Sequence, residues 1–214
     1  MNEKAPHKWG GLKRRYETNS LSELRFRDPI ADTPLAIGLD HVFESWLRYR
    51  FDPGVERIQI GDAAVVREIT GQAGKAHVHL DIRYASGERV LEFVARAPLS
   101  ARRRRALVEL ALANKARGLV RLRSDLRDEA RLTDNLRHLR QRMQMHRAAA
   151  SNVHLREHLQ TFDSTTRGEF AAALAAHPDA YIDAFLGFMH CKGVIQIQLS
   201  GAPYGDQTRF FHAR

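Results

Sequence analysis

The chain has 214 residues, 43% of them hydrophobic, with 34 Lys/Arg against 25 Asp/Glu and one cysteine. That is enough for one substantial domain, or one domain with a small companion. No apolar run approaches the ~20 residues of a membrane span; the amino-terminal stretch lacks the apolar centre of a secretory signal; and a lone Cys191 excludes an intramolecular disulfide, which fits a cytoplasmic protein.

The net charge of +9 is local. Between Ala101 and Arg147 stand 14 Lys/Arg and 5 Asp/Glu, so the remainder of the chain is neutral. A concentrated excess of this kind attracts polyanions such as double-stranded DNA, and counterion release makes that binding salt-dependent. The plainer alternative is a solvated, arginine-rich helix face.

Residues 1–38 are polar without a sustained period and read as an arm. Asp40 can cap a helix over about 41–51, HVFESWLRYRF, whose Val42, Phe43, Trp46, Leu47 and Tyr49/Arg50 form one stripe. Asp52-Pro53-Gly54 ends it. Val55–Ile60 and Ala63–Thr70 are strand-like, and GQAGK is a turn. His77–Tyr84 and Arg89–Arg96 alternate as a hairpin about Ser86-Gly87. Ser100 caps a helix of about 101–117 with Gly118 as its stop. GLVRLRSD gives a short strand, and a basic helix follows over roughly 133–149. The strand–helix–strand part, 89–123, predicts a right-handed crossover between parallel strands.

From about 151 the pattern changes. TTRGEFAAALAAH and PDAYIDAFLGFMHCKG are short helices, and VIQIQLSGAPYGDQTRFFHA alternates about a Gly/Pro turn. Helices followed by a terminal hairpin predict a small winged-helix-like subdomain. The chain therefore reads as α/β: an arm (1–38), a helix–three strands–helix–strand domain (39–149) and the small carboxyl-terminal subdomain (150–214).

Two acids stand out in the hairpin. A two- or four-residue loop about Ser86-Gly87 sets Asp81 directly opposite Glu92. Like charges so placed are destabilising. A divalent cation between them removes the objection, since Mg²⁺ favours hard oxygen ligands. Glu44 can add a third carboxylate. The competing reading puts both acids on the solvent face, paired with Arg83 and neighbouring arginines, and a three-residue loop breaks the register altogether.

FESWLRYRFDPGVERIQI resembles the opening helix and strand of TnsA-type endonucleases, the nuclease subunits of heteromeric transposases. HVHLDIRYASGERVLEFV stands where that family has its Pro-Asp-Phe and Val-Glu-Val-Lys strands. GLVRLRSDLRDEARLTDNLRHLRQR resembles the closing strand and helix, and GFMHCKGVIQIQLSGAPYGDQTRFF the winged-helix-like end. The resemblance spans about residues 40–212. It implies a restriction-endonuclease-like core of the PD-(D/E)XK type. It also implies metal-binding carboxylates at Glu44, Asp81 and Glu92, and hydrolysis of DNA phosphodiesters with Mg²⁺ or Mn²⁺. The implied partners are an integrase-type transposase and an AAA+ ATPase, the latter engaged by the carboxyl-terminal part.

Three positions depart from the family pattern. Leu80 replaces the proline before Asp81, Arg48 stands where a helix acid is expected, and Val94 occupies the place of the catalytic lysine. Arg96, two residues along the same strand face, and Lys75 in the preceding turn are the cations available to replace it. Arginine serves poorly as a proton acceptor. Two functions follow: a metal-dependent endonuclease, or a DNA-binding scaffold that keeps the fold without the chemistry.

Arg102, Arg103, Arg104 and Arg105 fall on the first turn of a helix, where the dipole disfavours cations. Bound phosphate offsets that, and such contacts position DNA without reading its sequence. His77 and His79 share a face with Asp81 and could be metal ligands, though the family does not need them; packing or DNA contact is the favoured reading. The helix about Tyr181–Lys192 is too apolar to read base edges, which predicts a buried or protein-contacting role for it and for Cys191.

Overall fold

A computed structural model describes residues 24–37, 40–61, 79–95 and 98–213. Two short strands, β1 (Leu24–Arg27) and β2 (Pro34–Ile37), pair antiparallel and precede α1 (Asp40–Arg50). They correct the reading of residues 1–38 as an arm throughout. Phe26 packs edge-on against Phe43 and Trp46 of α1, with ring centroids 5.1 and 4.9 Å away. Those contacts hold the hairpin down even though its own sequence has no clear period.

A four-stranded sheet follows, made of β3 (Val55–Ile60), β4 (Leu80–Tyr84), β5 (Arg89–Ala95) and β6 (Arg117–Leu122), in the order β3-β4-β5-β6. The first two pairings are antiparallel and β5/β6 is parallel. The chain crosses between the parallel strands through α2 (Ala101–Ala113). The fold is thus mixed α/β, built on a mixed sheet. The strand expected over 63–70 lies outside the described residues.

Both faces of the sheet are covered. Leu80, Ile82, Val90 and Val94 belong to the large core that contains α1, whereas Leu91 and Phe93 join Leu107 and Ala111 of α2 in a second cluster. This alternation along β5 is the period-two signature of a strand buried on both sides.

Helix α2 stops at Ala113, short of the expected 117. The Lys115 N–H bonds to the Leu112 carbonyl and the Ala116 N–H to the Ala111 carbonyl, both at 2.9 Å, closing a Schellman turn. Lys115 takes the left-handed position (φ 54°) that glycine usually fills. Gly118 is no cap: it lies in β6 against α2, where a Cβ would stand 3.0 Å from the Ala111 Cβ and 3.1 Å from the Val108 Cα.

Beyond β6, a helical turn not foreseen from the sequence, α3 (Arg123–Asp128), leads into α4 (Ala130–Met145). A 3₁₀ segment (Arg147–Ser151) and α5 (Val153–Leu159) come next. Then β7 (Ser164–Thr166), α6 (Arg167–Ala173), α7 (Asp179–Cys191), β8 (Ile195–Ile197) and β9 (Arg209–His212) complete the chain. β8 and β9 form the expected terminal antiparallel pair, and β7 adds a third strand in the order β7-β9-β8. Helix α7 is buried from Ile182 to Met189, in keeping with its apolar sequence. One hydrophobic core runs from α1 through α4 to α7 and β8, crossing the 149/150 boundary.

Arg167 knits the carboxyl-terminal part together. Its Nε donates to Asp183 at 2.9 Å and its Nη1 to Asp206 at 2.6 Å, while Nη2 lies 3.2 Å from Asp179. Burial opposes its charge, but the carboxylates outweigh burial and hold its pKa above the ordinary value. No described helix is long and apolar enough to cross a membrane.

Candidate nucleic-acid interface and the buried carboxylates

The β4–β5 hairpin turns through three residues, Ala85 to Gly87. The Tyr84 N–H bonds to the Glu88 carbonyl at 2.8 Å, and the Gly87 N–H to the Tyr84 carbonyl at 2.9 Å. Gly87 has φ 87°, the left-handed residue that closes a three-residue loop as a bulge. This loop slips the expected register by one. Asp81 is opposite Leu91, and Glu92 is opposite Leu80. Because a one-residue slip flips side chains across a sheet, Asp81 and Glu92 point to opposite faces. The expectation that they stand directly opposed is corrected on this ground.

Each acid is committed separately. Asp81 faces α2 and is 2% exposed. Arg89 grips it with two parallel bonds, Nε to Oδ1 at 2.9 Å and Nη2 to Oδ2 at 2.7 Å. The third nitrogen, Nη1, reaches the Asn114 carbonyl at the end of α2 at 3.1 Å. Such a bidentate pair is among the stronger charge-assisted contacts.

Glu92 faces α1 and is fully buried. Ser45 and Tyr49 both donate their hydroxyls to it, and Arg121 of β6 lies 3.3 Å away. Burial, and then the Glu92 charge, push the Tyr49 phenol above its usual range, so it stays a donor. Burial alone would lower the Arg121 pKa, but the Glu92 carboxylate, Tyr49 and Glu129 together outweigh it and raise it. Arg48, where an acid was expected, contacts Glu129, and burial lowers its pKa.

Glu44 sits on α1, bonded by Arg137 of α4 at 2.9 Å. The three carboxylates therefore do not converge. A cation drawing on all of them would need oxygens from both faces of the sheet, so a shared divalent site does not fit this arrangement. Among the described residues, no group of three or more His, Cys, Asp and Glu side chains is placed to hold a metal ion. Arg96, Lys75 and His77 lie outside the described residues. His79 accepts the Val94 N–H at 2.9 Å on Nδ1 and sits 6.3 Å, ring to ring, from His41, a packing role.

Ser45, Tyr49, Arg89 and Arg121 were not singled out from the sequence. Ser45 and Tyr49 carried a usable signal, being four residues apart on one helix face. Arg121 carried none, since its meeting with Glu92 depends on the β5/β6 pairing.

The cationic surface is arranged differently. Ser100 caps α2, its side chain accepting the Arg103 N–H at 3.3 Å. Arg102, Arg103, Arg104 and Arg105 are all exposed, and no acid stands in the first turn. Among the described residues, none of the four makes an ion pair. Helix α2 starts just past the carboxyl end of β5, and α3 opens with exposed Arg123 straight after β6. Because β5 and β6 run parallel, these arginines gather at one end of the sheet. No protein-family model matches the chain, and no curated protein matches it.

Proposed function

We propose that this chain is a double-stranded DNA-binding scaffold, related to TnsA-type nucleases, that grips the phosphate backbone without cutting it. The observation that carries the reading is the set of exposed arginines on the first turn of α2, which have no ion pair among the described residues. Cations there oppose the helix dipole, and phosphate oxygens offset the repulsion. Contacts of this kind give affinity and position without base readout.

The order α1-β3-β4-β5-α2-β6 is the one expected of a restriction-endonuclease-like core, and the three-stranded end is compatible with a winged-helix-like subdomain. Asp81 and Glu92 stabilise that core as ion-paired, buried groups. Val94 supplies no cation, and among the described residues neither acid has the open oxygen and neighbouring lysine that hydrolysis with Mg²⁺ or Mn²⁺ requires. The partners such a scaffold would bridge are an integrase-type transposase and an AAA+ ATPase, with the carboxyl-terminal part as the contact.

The test pairs two assays on the full chain. Gel-shift on a 30-bp duplex across a salt series is expected to show binding that falls steeply with salt and is indifferent to Asp81→Ala. Nicking of supercoiled plasmid with Mg²⁺ or Mn²⁺ is expected to be absent. Metal-dependent nicking abolished by Asp81→Ala or Glu92→Ala would establish the endonuclease instead. Failure to bind duplex at low salt would remove the DNA reading.

A further inference from the structure

At the other end of α2 lies a second feature. The Schellman turn and the β4–β5 hairpin border an open cavity of about 420 Å³, lined by Glu88, Arg89, Val108, Leu112, Lys115 and Arg117 among others. Leu112 is 65% exposed, the most exposed large apolar side chain among the described residues. Val108 lies one turn back on the same helix, so the two make an apolar floor.

The rim is cationic. Arg83 is exposed and sits directly across from Arg89 in the hairpin, a like-charge pair that sheets disfavour. Asp81 neutralises Arg89 alone. Arg117 is paired with Glu88 at 2.7 Å. Among the described residues Lys115 has no acidic partner, so the rim keeps a positive excess, and Arg83 stands one strand away from it. Lysine also stands at a left-handed position where glycine would be unstrained.

We propose that this groove docks an acidic protein segment bearing one aliphatic or aromatic anchor. The anchor lies on Val108 and Leu112, and a flanking carboxylate meets Lys115. The rim charges match an acidic chain. The apolar floor distinguishes the occupant from DNA, whose backbone offers phosphate and sugar to such a surface. The groove lies about 15 Å along α2 from the arginine cluster, so the two surfaces can be occupied together.

The experiment is fluorescence anisotropy on the full chain with a fluorescein-labelled twelve-residue peptide of Asp and Glu carrying one central Leu. Its counterpart with Ser in place of Leu is the control. The Leu peptide is expected to bind saturably and at least tenfold tighter than the Ser peptide. Leu112→Ser and Lys115→Gly are each expected to weaken it several-fold. Lys115→Gly removes the charge while suiting the backbone, so its melting temperature should hold or rise as peptide binding falls. The Arg102–Arg105 alanine variant should keep most of the peptide affinity while losing duplex, which separates this proposal from the DNA reading. Equal binding of both peptides, no binding of either, or indifference to Leu112→Ser and Lys115→Gly would overturn it. So would a concentration-dependent dimer abolished by Leu112→Ser, which would give the groove to a second copy of the chain.

Discussion

Tyr49 donates its hydroxyl to a Glu92 carboxylate that no solvent reaches. Removing the donor alone, as Tyr49→Phe, leaves that oxygen short of a partner. The expected loss is about 2 kcal/mol, in the range for an unsatisfied buried charged group. Urea denaturation measures it. If Glu92 were held open for a ligand, Tyr49→Phe would change stability little.

Asp81 and Arg89 form a unit that a double-mutant cycle can isolate. Asp81→Asn and Arg89→Met should each destabilise by about 2 kcal/mol, because each strands a partly buried partner. The double variant should cost clearly less than the two losses combined, with a coupling of about 1 kcal/mol or more. Additive losses would mean that the bidentate pair contributes nothing specific.

The arginine cluster is expected to behave oppositely for binding and for stability. Replacing Arg102–Arg105 with alanine should flatten the dependence of duplex affinity on salt by about three to four units of log–log slope. At low salt the same change should leave the melting temperature unchanged or higher, since four cations leave the positive end of a helix. A large drop in melting temperature would show that these side chains serve the fold.

His190 gives a pH dependence. Burial holds its pKa below the ordinary 6.5, and its Nδ1 faces the Ile195 carbonyl at 3.2 Å, so the neutral ring donates there. A base depressed in the folded state means that the unfolded chain binds its proton first. Stability should therefore fall as the pH drops below about 6.5 and level off once the folded pKa is passed. In His190→Phe the baseline will shift, but this segment of the slope should disappear from stability measured against pH.

Arg167 anchors Asp183, which is 4% exposed and also receives the Tyr204 hydroxyl at 3.2 Å. Arg167→Met should cost about 3 kcal/mol by leaving that carboxylate without its cation. Arg167→Lys should recover only part of the loss, because an ammonium does not reproduce a planar fork that meets three carboxylates. Denaturation midpoints of the three proteins decide this.

Periodicity carried the main elements. The stripe of Val42, Phe43, Trp46 and Leu47 is a helix facing the core, and the alternation of β5 is a strand. Ser100 caps α2 as its hydroxyl suggested. What periodicity could not carry was register. Ser86-Gly87 marks a turn equally well for two, three or four residues, and only the left-handed Gly87 bulge selects three. That single residue decides whether Asp81 and Glu92 share a face. The stop of α2 was hidden for a related reason: lysine adopts a conformation that local propensity assigns to glycine. The β1–β2 hairpin was hidden because tertiary contacts of Phe26, not local pattern, hold it in place.

The hydrophobic core that passes from α1 through α4 to α7 has a practical consequence for anyone dividing this molecule. Cutting between 149 and 150 would strip Leu139 and Met143 of the helix they pack against and leave α7 with a bare apolar flank. Neither fragment should survive alone in water without clumping. Heating the intact chain should give one sharp calorimetric peak, and a protease should find α1, α4 and α7 resistant together or not at all.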